Sequence, residues 1–502
     1  MPYRPTMTKG DLEAFAHDTL SGRKIIVVSN REPYMHQQER RKVRWIRPAG
    51  GLVTALDPVL CAIRGVWIAH GAGDADRASA DAGGRISVPP DDPRYTLRRV
   101  WLTKDEEQRY YYGLSNEALW PLCHVAHVRP TFRGEDWSVY ESVNRKFAET
   151  VLDEAGDEPA LVLVQDYHLA LLPQLLKSAR PDLGVAHFWH IPWPTHEIFR
   201  ICPWRREILE GMLGNDLVGF HIQYHCMRFL ECVDAELQVR VDREHQCVWH
   251  DDRVTYVRPF PIGIDAEGIS AHANSAEVAA EMDRLRQLLA PGVETIAVSV
   301  DRLDYTKGML ERLHAIDRFL TENSGWQGRF QFLSITAPSR EHIQTYQDVA
   351  DRVEDLIEDI NWRHGTETWR PVIFLHEHVG QTTTHALYRL GHVCLVTSLH
   401  DGMNLVAKEY VAARTDGDGV LVLSRFTGAA RELTNAILVN PYDAAGTAHA
   451  ILAALEMPEG ERRRRMERLR AQVLEKNVYD WARRLFNSAL RRADAPAPQP
   501  AP

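Results

Sequence analysis

The chain is 502 residues long, 44% hydrophobic and 25% charged, with a formal net charge of −10 at pH 7. One hydrophobic core rarely spans that length, so two domains are expected, and the acidic balance argues against a protein that coats nucleic acid. No apolar run approaches the roughly 18 to 20 residues a membrane helix needs, the first residues carry no secretory signal, and the seven cysteines are dispersed without a Cys-x-x-Cys pair, which fits reduced thiols in a cytoplasmic protein and neither a disulfide framework nor a zinc site.

In chain order, residues 1–22 read as an N-terminal arm. The first buried strand is Lys24–Ser29, and it breaks off into Ser29-Asn-Arg31. A long polar insertion then runs from Asn30 to Gly50 and closes on the pair Gly50-Gly51; it is either a lid over a phosphate-bearing ligand or an ordinary surface loop. Gly51 is likewise open to two readings, close backbone approach to a diphosphate or a plain turn glycine. The acidic pairs Asp74/Asp76 and Asp91/Asp92 follow no strong apolar strand, so they read as surface loops and not as a metal-binding Asp-x-Asp. The aromatic stretch from Tyr110 to Trp120 is either a sugar-stacking surface or core.

Continuous apolar runs at Leu161–Val164, Val185–Trp189 and Leu217–His221 add buried strands. Two of them end in chemistry-bearing groups, Gln165-Asp-Tyr-His168 and His190-Ile-Pro-Trp-Pro194. If these strands are parallel, such groups gather at one rim. A seam follows between Gly263 and Gly292, with a helix over Ala276–Leu289.

The second half repeats the alternation, with strands at Thr295–Val300, Phe330–Ser334, Val372–Leu375, Val393–Val396, Val420–Ser424 and Ala436–Val439. Apolar strands alternating with amphipathic helices indicate parallel sheets covered on both faces. Two loops stand out. Arg302-Leu-Asp-Tyr-Thr-Lys-Gly308 places two cations where a strand stops, and Asp401-Gly-Met-Asn-Leu-Val-Ala-Lys-Glu-Tyr410 places two carboxylates around a helix start. Cations neutralise a diphosphate leaving group, carboxylates hold sugar hydroxyls, and backbone N–H groups of Gly402 to Leu405 can meet phosphate oxygens. The pair suits a sugar nucleotide. No Gly-x-Gly-x-x-Gly or Walker loop is present, which argues against a dehydrogenase or ATPase. The arginine run within Glu461–Arg470 reads as a solvated helix face, and the Pro/Ala segment 493–502 as a disordered tail.

Set in order, Ser29-Asn-Arg31, Gly50-Gly-Leu52, Tyr111 with Ser115-Asn116, Leu119-Trp-Pro121, Asp166-Tyr-His-Leu169, His190-Ile-Pro-Trp-Pro194, Arg302–Gly308, Ala337-Pro-Ser-Arg340 and Asp401–Ala412 resemble the trehalose-6-phosphate synthases, the retaining GT-B glycosyltransferases of family 20 that use UDP-glucose. The resemblance runs from about residue 24 to 485. It implies an α/β protein of two Rossmann-like, doubly wound domains facing a central cleft, with a C-terminal helix crossing back to the N-terminal domain. The implied boundaries are 23–262 for the acceptor-binding domain, 263–475 for the donor domain and 476–492 for the crossover helix.

The resemblance also implies roles. Arg302 and Lys307 would stabilise the departing diphosphate. Asp401 would hold donor glucose hydroxyls with the backbone of Gly402, Met403, Asn404, Leu405 and Val406, Glu409 the ribose, and Gly51 would approach the diphosphate. His190 and Asp166 would contact sugar hydroxyls at the reacting centre. Arg31, Tyr111, Trp120 and Arg340 would form the acceptor site, the arginines gripping the phosphate of glucose 6-phosphate. No metal, no cofactor beyond the co-substrate UDP-glucose, no nucleic-acid or membrane partner, and a homodimer or homotetramer are implied. In Val66-Trp-Ile-Ala-His-Gly71 the chain departs from the family pattern, with His70 in place of an indole of the acceptor wall. That leaves room for a sister activity, glucosylglycerol-phosphate synthase acting on glycerol 3-phosphate. A catalytically silent sugar-nucleotide sensor is a third reading, which the presence of Arg302, Lys307, Asp401 and Glu409 disfavours.

Overall fold

The computed structural model describes residues 6–40, 42–48 and 50–493. Two compact units make up the chain: Met7–Ile262 together with the segment from Val478, and Gly263–Asn477. Apart from Ala493, the tail expected at 493–502 lies outside the described residues, as do residues 1–5 of the arm.

The first unit carries strands β1 (Lys24–Arg31), β2 (Met35–Glu39), β3 (Lys42–Ile46), β4 (Val66–His70), β5 (Arg85–Val88), β6 (Tyr95–Val100), β7 (Ala160–Gln165), β8 (Gly184–Phe188), β9 (Leu217–Phe220), β10 (Arg240–Asp242), β11 (Cys247–His250) and β12 (Arg253–Pro259). Ten of these form one sheet in the order β10-β11-β12-β9-β8-β7-β1-β4-β6-β5. From β12 to β6 the pairings are parallel, and antiparallel strands close both edges. β4, β7 and β8 are buried at every position, the signature of a sheet covered on both faces. Strand order departs from β1 in two directions, to β4 and to β7, so the carboxyl ends of β1 and β7 flank a topological switch point.

Helix Val478–Ala493 belongs to this unit. Its apolar stripe of Val478, Trp481, Leu485, Phe486 and Leu490 is buried, at the spacing an amphipathic helix requires, and the Trp481 indole meets Phe188 of β8 edge-on at 5.2 Å. The N-terminal arm contains a helix too, Lys9–Thr19, started by a capping box in which Asp11 N donates to Thr8 Oγ1 at 3.1 Å and Thr8 N to Asp11 Oδ2 at 2.8 Å.

The second unit carries β13 (Thr295–Arg302), β14 (Phe330–Ala337), β15 (Val372–Leu375), β16 (Val393–Val396), β17 (Val420–Ser424) and β18 (Ile437–Val439). They pair in parallel in the order β15-β14-β13-β16-β17-β18. Counted within the unit this is 3-2-1-4-5-6, the dinucleotide-fold order whose ligand crevice opens between the first and fourth strands. The loops after β13 and β16 are those bearing Lys307 and Asp401.

Several elements differ from expectation. β6 reads poorly as a strand because it carries Arg98 and Arg99, yet both are buried. Arg98 pairs with Glu154 at 3.0 Å, and Arg99 with Glu32 and Asp76, each at 2.8 Å. Asp76 therefore corrects the surface-loop reading: its side chain is fully buried and also accepts the backbone N–H of His36 and of Gly73 at 2.7 and 2.6 Å. The 30–50 insertion is largely a hairpin, β2 pairing antiparallel with β3.

Candidate active site

In the second unit, β13 stops at Arg302 and the chain turns back before helix Met309–Glu322. Asp304 fixes this turn, accepting from Thr306 N at 3.0 Å and from Thr306 Oγ1 at 2.8 Å. Burial alone would raise its pKa; the cationic Arg340, Arg302 and Lys307 hold it below the usual carboxylate range. Gly308 closes the turn at φ +62°, where a Cβ would lie 2.2 Å from the Thr397 carbonyl oxygen, so only glycine fits. Leu399 N donates to Thr306 O at 2.7 Å, tying the loop to the end of β16. The result is a meeting of Lys307 Nζ with Asp401 Oδ2 at 2.6 Å.

Asp401 is held from several sides. Its backbone bridges to Thr427, and Oδ2 also accepts from Asn404 Nδ2 at 3.2 Å and from Ser398 Oγ at 3.3 Å. Asn404 sits at φ +76°, a conformation asparagine tolerates, and caps helix Leu405–Ala413 by accepting from Ala407 N at 3.0 Å. The first-turn N–H groups of Leu405 and Val406 have no carbonyl one turn earlier in the helix, the usual arrangement for meeting an anion. Gly428, on which a Cβ would lie 2.0 Å from Gly402 O, lets the neighbouring turn pack against Gly402 and Met403. Glu409 follows one turn into the helix and accepts from the Tyr388 hydroxyl at 3.1 Å. Burial raises its pKa.

In the first unit the carboxyl ends of four parallel strands carry the candidates. Arg31 and His70 are register partners on β1 and β4, while Asp166 and His190 follow β7 and β8. Arg31 Nη2 donates to the Tyr111 hydroxyl at 3.2 Å, and the Tyr111 ring stacks on His168 with centroids 5.7 Å apart. Gly51 is the exposed first residue of helix Gly51–Ile63. Asp166 has φ +68°, strained for a non-glycine residue, and its Oδ1 accepts His190 N at 3.1 Å. His190 Nε2 hydrogen-bonds Gln165 Oε1 at 2.7 Å, which places the proton on Nε2 and a lone pair on Nδ1. Burial, with His187 adding to it, pushes the His190 pKa down to about 3.

Three expected acceptor residues are buried. Trp120 is only 6% exposed, packed on His124 and Tyr167 at 4.0 and 5.9 Å. His70 is 7% exposed, and burial lowers its pKa to about 4, so it carries no charge at neutral pH. Arg340 belongs to the second unit, and Arg31, Tyr111 and Trp120 to the first; its buried guanidinium pairs with Asp304 at 3.1 Å and also meets Tyr346.

Other participants gave no sequence signal. Glu32 follows Arg31 and accepts Ala72 N at 3.0 Å, linking the segments after β1 and β4. Burial, then a hydrogen bond with Asp76, pushes its pKa up to about 8. With that proton kept on Glu32, the two carboxylates and the buried Arg99 together carry no net charge. Tyr388 and Arg312 were hidden because on a helix they read as ordinary amphipathic positions. Among the described residues, no group of three or more His, Cys, Asp or Glu could hold a metal ion.

The profile of glycosyltransferase family 20 matches residues 23–491. The chain belongs to glycosyltransferase family 20. It is 41% identical over 476 residues to a trehalose-6-phosphate synthase of Mycobacterium avium, covering 92% of this chain and 94% of the relative. Among solved structures it is similar to an α,α-trehalose-phosphate synthase (UDP-forming) from Burkholderia xenovorans in complex with glucose-6-phosphate. That likeness has a TM-score of 0.83 at 30% identity, over 93% of this chain and all (100%) of that one. It is similar too to the trehalose-6-phosphate structure from E. coli bound with UDP-2-fluoro glucose, with a TM-score of 0.82 at 30% identity, over 94% and 99% of the two chains. The fold is thus that of a GT-B glycosyltransferase, built on two Rossmann-like units, and family 20 membership makes the chain an enzyme.

Proposed function

We propose that this enzyme transfers glucose from UDP-glucose to glucose 6-phosphate with retention, giving α,α-trehalose 6-phosphate and UDP, in the cytoplasm. The observation that carries the reading is the Lys307–Asp401 pair at the switch point of a 3-2-1-4-5-6 sheet. It sets a cation for a diphosphate beside a carboxylate for sugar hydroxyls, where such a fold binds its ligand. The relatives named above, one bound to glucose-6-phosphate and one to a fluorinated UDP-glucose, support the substrates. All seven cysteines are buried and unpaired, which suits a reducing compartment.

The chemistry follows from the residues. Negative charge develops on the departing UDP, where Arg302 and Lys307 stabilise it. Retention by double displacement would require a carboxylate nucleophile under the anomeric carbon. Asp401 suits that task poorly, since three donors already converge on its Oδ2; hydrogen bonding there favours an orienting acceptor. Front-face substitution, in which the leaving phosphate takes the proton of the incoming hydroxyl, needs no protein nucleophile. Neutral His190 and Asp166 then act as hydrogen-bonding partners of sugar hydroxyls, Glu409 binds the ribose, and the backbone from Gly402 to Val406 meets the diphosphate; Gly51 is the first unit's candidate for close approach to a diphosphate. Arg31 and Tyr111 are the acceptor candidates of the first unit, and Arg340, paired with Asp304 at 3.1 Å, is that of the second. No metal or further cofactor is invoked.

The test is a nucleotide-release assay crossing UDP-, GDP- and ADP-glucose with glucose 6-phosphate, fructose 6-phosphate and glycerol 3-phosphate. Preference for glycerol 3-phosphate would replace this reading with the glucosylglycerol-phosphate one.

A further inference from the structure

Arg312 lies on helix Met309–Glu322, and its side chain is 2% exposed. From there it reaches three elements. Nη1 pairs with Asp301 Oδ2 at 2.7 Å near the end of β13; Nε donates to Thr397 Oγ1 at 2.8 Å just past β16; Nη2 donates to the Lys307 carbonyl at 3.3 Å. The guanidinium thus ties together the two strand ends that form the switch point and the residue between them that meets Asp401.

Asp301 gives this arrangement its consequence. It is a second buried carboxylate, 6% exposed, one residue before Arg302. Burial raises its pKa; Arg312 first and then Lys307 oppose that, while Asp401 adds to it. Two carboxylates, Asp301 and Asp401, therefore face two cations, Arg312 and Lys307, across one loop. A lysine ammonium is mobile and goes to whichever carboxylate is less satisfied, whereas a planar guanidinium holds a fixed geometry.

We propose that Arg312 is a positioning residue for glucosyl transfer: by occupying Asp301 and holding the Lys307 carbonyl, it reserves the Lys307 ammonium for Asp401 and the donor diphosphate. Without it, Lys307 turns back to Asp301 and the diphosphate loses a cation. The inference rests on the donor-site reading of Lys307.

The test is a set of purified variants, Lys307→Ala, Arg312→Met, Arg312→Lys and the double Arg312→Met/Asp301→Asn, assayed for kcat, both KM values, UDP affinity and thermal midpoint. Arg312→Met should lower kcat by roughly 10²-fold, the cost of a misplaced catalytic group, and weaken UDP binding with the acceptor KM unchanged. Removing the competing carboxylate in the double variant should restore kcat by roughly tenfold or more, a coupling typical of groups in one network. Arg312→Lys should fall between wild type and Arg312→Met. A packing role alone would leave the double variant as slow as Arg312→Met, and that result overturns the proposal even if Arg312→Met is poorly folded. If Lys307→Ala abolishes turnover while Arg312→Met retains it, the positioning role alone falls; if Lys307→Ala is fully active, the donor-site reading falls with it.

Discussion

Lys307 Nζ lies 2.6 Å from Asp401 Oδ2, joining a cation after β13 to a carboxylate after β16, with both side chains 15% exposed. The contact orients both side chains and leaves each partly open to solvent. Replacing Lys307 or Arg302 with Ala should lower kcat by roughly 10²- to 10³-fold, the usual cost of removing a group that meets developing charge. UDP release measured on variants with native circular dichroism checks it; turnover within a few-fold of wild type would remove the assignment.

Glu409 accepts from the Tyr388 hydroxyl at 3.1 Å, and its proposed role is to hold the donor ribose. Glu409→Gln should raise the donor KM by about tenfold or more, the worth of a hydrogen bond to a charged group, with little change in acceptor KM. Tyr388→Phe removes the donor that orients Glu409 and should act in the same direction more weakly. Saturation curves for both substrates on each variant decide this.

The proposed acceptor roles of Arg31 and Arg340 are tested one residue at a time. Arg31→Ala should raise the KM for glucose 6-phosphate far above any change in donor KM, because a guanidinium is suited to a phosphate. Arg340→Ala should do the same and also strip Asp304 of a buried cation, costing about 3–5 kcal/mol of stability. Denaturant titration beside the kinetics separates the effects; an unaltered acceptor KM in either variant would exclude that arginine from the phosphate site.

Buried histidines give a pH dependence with a definite sign. His187 and His190 are pushed down to about 3 and His70 to about 4, each chiefly by burial, against an unfolded value near 6.5. Between those limits the unfolded chain binds more protons, so stability is complete above pH ~6.5 and falls as pH drops, by up to about 1.4 kcal/mol per pH unit per histidine. Urea midpoints from pH 7 to 4 should show this slope, and His187→Gln, which keeps a donor for the Asp166 carbonyl, should flatten it. A slope unchanged in that variant would contradict a neutral His187.

Full activity should persist after exhaustive EDTA treatment. A loss restored by Mg²⁺ or Mn²⁺ would contradict the metal-free mechanism.

The second unit was legible in sequence because each of its six strands is a short apolar run, and because Arg302–Gly308 and Asp401–Tyr410 are contiguous stretches whose chemistry survives without the fold. Less of the first unit could be read. β6 hides behind Arg98 and Arg99, whose burial depends on Glu154, Glu32 and Asp76, residues remote in sequence. The β2–β3 hairpin is polar enough to read as a loop. Arg312 and Arg340 illustrate the same limit within the site: an arginine's type shows in the sequence, but its carboxylate, Asp301 or Asp304, is chosen only when strand ends and helices are brought together.

The most direct measurement of the central claim is product identification after incubating the purified enzyme with UDP-glucose and glucose 6-phosphate. The account predicts stoichiometric UDP and a non-reducing disaccharide phosphate whose two anomeric protons both show α coupling by NMR. Absence of transfer to glucose 6-phosphate alongside brisk transfer to glycerol 3-phosphate, or a β-configured product, would contradict it.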